Sequence, residues 1–181
     1  NVRAGGLTVI KKDEKKYNQQ YFERIKEVIA ERSGHNVLMG ISDENETYIT
    51  FQMTYKEAIN ALEIAHIRKK ECPVVWNEKI GYWKLLKDMS QQQQCKEFVS
   101  KKIDALIQYD KENESDLIET LEALVNHLGA RNITATSLYL HRNTLMYRIK
   151  KIENLTGYDL SDPESILELS LALRLNKFMN H

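Results

Sequence analysis

Apolar positions recur along this chain in two regimes. In the first, short β-branched runs are separated by stripes at helical spacing. Leu7–Ile10 reads as a strand, as do Val37–Ile41 and Pro73–Trp76. Between them, Phe22, Ile25, Val28 and Ile29 set a helix from about Gln19 to Arg32, stopped at Ser33-Gly34. A second helix covers about Phe51–Arg68, with Tyr55, Ile59, Leu62 and Ala65 on one stripe. Strand, helix, strand, helix, strand makes an α/β or α+β layer. So few strands are marginal alone, as expected of part of a larger domain.

Past the run MSQQQQ at Met89–Gln94, a plausible boundary, every stripe is helical. A helix over about Cys95–Tyr109 carries Phe98, Ile103, Leu106 and Ile107. The next opens on Asp116 and Glu119, the spacing of a capping box, runs through Leu121 and Leu124, and stops at Gly129. The last opens with Asp162 as N-cap and Pro163 in the first turn. Its Ile166, Leu167, Leu169, Leu171, Leu173, Leu175 and Phe178 spread around most of the circumference, so several sides must be covered, by this domain, its neighbour or a second subunit.

Between those helices lies ARNITATSLYLHRNTLMYRIKKIENLTG. Asn132 can cap a short helix holding Ala135 and Leu138. Tyr139 to His141 breaks it, and a longer helix runs from about Arg142 to Leu155, ending at Gly157. A short helix, a tight turn and a longer basic helix follow the helix-turn-helix plan. On the longer helix Leu145, Ile149, Ile152 and Leu155 share one face, with Asn143, Met146, Tyr147, Lys150, Lys151 and Asn154 opposite. Arg142 and Thr144 stand at the end that meets base edges in such motifs. Arginine can pair with guanine and asparagine with adenine; Thr144 suits a phosphate, and Arg148, Lys150 and Lys151 suit the flanking backbone. A solvated basic face on an ordinary amphipathic helix would show the same pattern, and Tyr139 stands where many such turns have glycine.

Charge sharpens the picture through its distribution. Among 181 residues, 26 basic and 26 acidic groups cancel. Yet no acid occurs between Glu122 and Glu153, a window holding Arg131, Arg142, Arg148, Lys150, Lys151, His127 and His141. A neutral chain with one acid-free basic window fits a localised polyanion contact. At 42% hydrophobic residues with 2 prolines, the chain can bury a core. No apolar run is long enough to span a bilayer, and Cys72 and Cys95 have no metal-ligand or disulfide-framework spacing, so a reducing cytoplasm is expected. The five histidines make no metal pairing, and neither a phosphate-binding loop, a nucleophile elbow nor a dinucleotide fingerprint occurs. No cofactor is expected. Trp76, Tyr82 and Trp83 suit core packing better than a ligand pocket.

The string HRNTLMYRIKKIENLTGYDLSDPESILELSLALRL closely resembles the C-terminal helix-turn-helix of the purine-catabolism and sugar-diacid regulators, the PucR/CdaR type. FVSKKIDALIQYDKENESDLIETLEALV resembles that family's lead-in helices, and the motif is more weakly similar to the DNA-binding end of the nucleoid protein Fis. The resemblance covers about 80 residues and implies DNA contacts from Arg142, Asn143, Thr144, Tyr147 and Lys150. His141, Arg148 and Lys151 complete the candidate set. Met146 departs from a position usually basic in the family, and Ala130 from one usually asparagine.

Residues 1–88 resemble the C-terminal half of the degenerate GGDEF-type domain that precedes this motif in many members, through VLMGIS, TYKEAINALEIAHIRKK and VVWNEKIGYWKLL. At Gly5-Gly6, Leu7 and Thr8 replace the acids a cyclase needs for its metal, so no diguanylate cyclase activity is expected. The expected class is α+β: a partial α/β GGDEF-like domain, then an all-α Fis-like helix-turn-helix domain over 95–181. The expected function is sequence-specific binding of double-stranded DNA by a bacterial, cytoplasmic transcription regulator. It would act as a homodimer or higher oligomer and carry no enzymatic activity. With no initiator methionine the chain is expected to be a fragment, its small-molecule inducer sensed by a missing N-terminal region. Two rivals remain: a nucleotide or cyclic-dinucleotide binder of GGDEF type, and a protein-interaction module whose basic helix meets an acidic partner.

Overall fold

The computed structural model describes residues 17–43, 51–68 and 72–180. Leu7–Ile10 and the Gly5-Gly6 hairpin lie outside the described residues. The chain divides into two compact units, Asn1–Asn77 and Glu78–His181.

In the first unit, helix α1 (Gln19–Ser33) starts where Asn18 accepts the Tyr21 N–H at 3.1 Å and ends at Gly34, whose φ is 69°. It buries no residue fully, but Phe22 meets Trp76 edge to face with ring centroids 5.1 Å apart. Strands β1 (Met39–Ile41) and β2 (Val74–Trp76) are parallel, with Gly40 opposite Val75, and helix α2 (Phe51–Ile67) lies between them in the chain. The stripe expected on α2 is rotated. Tyr55 and Ile59 are exposed and Leu62 is half-buried; Ala65 is buried as expected, and Ala61 and Ile64 are buried with it. The helix lies close against Gly40: a Cβ on Gly40 would sit 2.2 Å from both the Ala58 carbonyl oxygen and the Leu62 nitrogen. Backbone lies on backbone there, and Ala61 and Ala65 are buried together with Ile64. The described residues are thus mostly helical with a two-stranded parallel sheet, which by itself does not identify a GGDEF-like domain.

The second unit is all helix. Helix α3 (Tyr82–Ser90) adds to the elements the pattern predicts; the glutamine run lies at the turn from it into α4 (Gln93–Asn113). Helices α5 (Leu117–Asn126), α6 (Arg131–Ser137), α7 (Arg142–Thr156) and α8 (Pro163–Met179) follow. Asp162 caps α8 as expected, accepting from the N–H groups of Glu164 and Ser165. Leu169, Ala172, Leu173 and Leu175 are buried, because α3, α4 and α5 all pack on this helix. Its broad apolar girth is largely met within its own unit, Trp83 of α3 lying 6.0 Å from Phe178 between ring centroids, while Leu167 stays exposed. Lys102 of α4 pairs with Glu168 of α8 and donates to the Tyr158 hydroxyl, tying the end of α7 to the bundle.

Candidate nucleic-acid interface

The expected capping box of α5 does not form. Asp116 makes no side-chain cap; Asp110 of α4 accepts from the N–H groups of Leu117 and Ile118 at 2.9 and 2.8 Å. The start of α5 is therefore pinned to α4, and the Asp116 carboxylate is left for another partner.

Helix α6 begins after Gly129, with Ala130 rather than Asn132 at the cap position; Asn132 falls within the first turn. Thr134 and Ala135 are its buried residues, small enough for α6 to pack on both α5 and α7. The turn that follows is closed by paired bonds. The Tyr139 N–H donates to the Thr136 carbonyl at 3.1 Å and the Leu140 N–H to that of Ala135 at 2.9 Å. This closure needs a left-handed residue, and Tyr139 supplies it at φ 54°, its side chain 97% exposed.

Helix α7 then starts at His141, whose Nδ1 accepts the Asn143 N–H at 3.3 Å. Leu145, Ile149 and Ile152 are buried against the bundle as expected, and Leu155 is half-buried. The helix ends at Gly157, which has φ 75° and donates to the Glu153 carbonyl at 2.8 Å. Arg142, Asn143, Thr144, Tyr147, Lys150 and Asn154 are all exposed. Positions 143, 147, 150 and 154 form one stripe along the axis, with Tyr147 70% exposed. Five of the eight candidate residues, Arg142, Asn143, Thr144, Tyr147 and Lys150, are thus open to solvent, three of them on this stripe.

The other three have partners inside the unit. His141 is a cap. Arg148 donates from Nη1 to Thr120 Oγ1 and from Nη2 to Asp116 Oδ2, both at 3.0 Å, so it reaches back to α5 instead of standing beside the outward stripe. Lys151 lies over the Tyr109 ring of α4, 4.4 Å from its centroid. Met146 is half-buried, with Arg131 Nη1 at 4.0 Å from its sulfur, which brings a positive group to the place where the side chain itself lacks one. Sequence reasoning missed Asp110, Asp116 and Thr120 as the residues that fix this geometry. Their partners lie 7 to 32 positions away, beyond any local pattern.

Among the described residues no group of three or more His, Cys, Asp or Glu side chains could hold a metal ion, and no helix is long and apolar enough to cross a membrane.

Comparison with known proteins agrees with this geometry. Residues 117–175, from α5 into α8, match the model of the PucR C-terminal helix-turn-helix domain. The chain is similar to the proline-responsive transcriptional activator PutR of Bacillus subtilis (strain 168), 30% identical over 142 residues, covering 78% of this chain and 34% of the relative. It is 28% identical over 160 residues to the purine catabolism regulatory protein of the same organism, covering 88% of this chain and 30% of that protein. Over 66 residues it is 39% identical to the carbohydrate diacid regulator of Escherichia coli (strain K12), covering 36% of this chain and 17% of that one. The chain thus spans about a third of the length of the first two relatives. Its second unit carries, over residues 117–175, a helix-turn-helix domain of the PucR C-terminal kind.

Proposed function

We propose that this chain is the DNA-binding end of a transcription regulator, with α7 entering the major groove of double-stranded DNA. The observation that carries the reading is the outward surface of α7. Arg142, Asn143, Thr144, Tyr147 and Lys150 are exposed on a helix whose opposite face is buried and whose flank is fixed to α4 and α5. Arg142 and Asn143 sit in its first turn, where side chains reach base edges; Lys150 lies two turns on, beside the phosphates. The relatives bear the names of regulators and activators, so the chain is taken to act by binding rather than by catalysis. Two copies would bind two half-sites, in the cytoplasm where bacterial DNA lies.

The first unit is read as part of a GGDEF-like domain with a structural or regulatory role. Its parallel β1 and β2, with α2 between them in the chain, support that reading. Inducer sensing is assigned to the length of the relatives that this chain does not span.

The test is selection of bound duplexes from a random pool, followed by titration of the enriched and a scrambled duplex. Enrichment of one motif, bound at least about 10³-fold tighter than the scrambled duplex, is expected. Equal affinity for both would leave only a polyanion-binding surface.

A further inference from the structure

An aspartate at an N-cap ordinarily accepts the N–H groups of the following turn. Asp116 does not, and Asp110 instead accepts those of Leu117 and Ile118. What Asp116 does instead is hold Arg148. Its Oδ2 accepts from Nη2 at 3.0 Å, while Thr120 Oγ1 accepts from Nη1 at 3.0 Å. Asp116 and Thr120 are one helical turn apart on α5, so one planar guanidinium spans both. Thr120 is fully buried and spends its own hydroxyl proton on the Asp116 carbonyl at 2.7 Å, which leaves its lone pairs for Arg148. The bundle-facing contacts of α7, Leu145, Ile149 and Ile152, are apolar and carry no direction of their own. A planar fork engaged at two points fixes orientation as well as distance.

We propose that Arg148 is a positioning residue for DNA recognition: it locks the roll of α7 on α5 so that Arg142, Asn143 and Tyr147 meet the bases. It makes no phosphate contact. This inference rests on reading α7 as the recognition helix. It has a consequence whose sign opposes simple electrostatics. Removing an acid near a DNA-binding surface should strengthen binding to a polyanion. If Asp116 is half of the lock, removing its charge weakens binding to the cognate site.

The experiment uses the full chain as wild type, Asp116→Asn, Arg148→Lys and the double variant. Each is titrated against the duplex most enriched by the wild type from a random pool, and against its scramble, over a series of salt concentrations. Lysine keeps the charge that a phosphate contact needs and loses the two-point fork. Each single variant should bind the cognate duplex about tenfold more weakly and the scramble within about twofold of wild type, with an unchanged salt slope. The double variant should be no weaker than the worse single. Arg148→Lys binding like wild type, together with Asp116→Asn binding as tightly or tighter, overturns the proposal. Should Arg148→Lys fail to melt cooperatively, Asp116→Asn at its largely exposed site decides by sign alone: weaker cognate binding supports the lock, equal or tighter binding overturns it. A wild type that does not separate the two duplexes overturns the DNA-recognition reading itself, and the lock with it.

Discussion

Replacing Lys150 and Arg142 by alanine, one at a time, separates the two kinds of contact that α7 can make. Both side chains are exposed, and neither has a partner among the described residues, so their loss leaves no buried group unpaired. Lys150 lies two turns beyond the groove-entering end. Losing one phosphate contact should make the slope of log K against log salt shallower by about 0.9. Over a fourfold rise in salt that is about half a log unit, so the variant loses roughly 3.5-fold less affinity than wild type across the range. The loss should be the same on cognate and scrambled duplexes. Arg142→Ala removes a base contact instead, at about 1–3 kcal/mol, which is about five- to 150-fold on the cognate duplex and much less on the scramble. Fluorescence anisotropy at four salt concentrations on both duplexes reads all of this. Equal losses by both variants on both duplexes would reduce Arg142 to another backbone contact. No loss from either would mean that α7 does not enter the groove.

Four further outcomes test the frame that carries α7. Tyr139→Gly should stabilise the second unit by about 1 kcal/mol in denaturant unfolding, because φ 54° favours glycine and a side chain 97% exposed loses no packing; a destabilised variant would give Tyr139 a structural role. Leu173→Asp places a carboxylate at a site 3% exposed and should cost more than about 3 kcal/mol, abolishing the cooperative melt; a wild-type melt would show that this face of α8 is open. Gly40→Ala forces a Cβ to 2.2 Å from backbone atoms of Ala58 and Leu62, so β1 and α2 must part, and faster hydrogen exchange confined to the first unit is expected. The Ser165 hydroxyl, then the Ser165 N–H, hold the Asp162 carboxyl below its ordinary 3.8, so its cap is fully formed above that value and is lost as pH falls through the lowered one. Asp162→Asn keeps an acceptor but cannot titrate, so it should flatten this part of the acid limb in amide exchange of Glu164 and Ser165; an unchanged limb would place the acid sensitivity elsewhere.

Local pattern sufficed for the elements whose boundaries are set by local chemistry. Gly34 and Gly157 end α1 and α7 because each adopts a left-handed conformation, and Asp162-Pro163 opens α8 through its own side chain and fixed φ. The inward face of α7 was legible for the same reason, since Leu145, Ile149 and Ile152 recur at the helical period. Readings failed where a distant partner outbid a near one. Asp116 carries the pattern of a cap, but it is Asp110 that reaches N–H groups of the first turn, from α4. For Arg148 and Lys151 a basic run does not say which way a side chain turns, and each meets a side chain on α5 or α4. On α2 the apolar stripe pointed to Tyr55, Ile59, Leu62 and Ala65, of which Ala65 is buried, whereas the helix lies close against Gly40 and leaves Tyr55 and Ile59 exposed. Helix α3 has little local signal because YWKLLKDMS is short and follows closely on a strand signal.

Several charges of the acid-free window between Glu122 and Glu153 thus meet partners within the unit. Of its five cationic residues, Arg148 is held by Asp116, Lys151 by the Tyr109 ring, and Arg131 lies against Met146, which leaves Arg142 and Lys150 outward on α7. With Arg142 directed to a base, Lys150 alone is directed to a phosphate and would give one copy of this helix a salt slope of only about −0.9, a weak hold on any duplex. The chain as a whole is neutral, so it adds no net long-range attraction. Under the proposed reading, discrimination must then come from how accurately the few outward side chains are placed, and affinity from pairing a second copy on a second half-site. That is the setting in which an arginine is better used to orient the helix than to touch one more phosphate: a single extra contact strengthens binding to every sequence alike, whereas a fixed helix strengthens it only where the bases match.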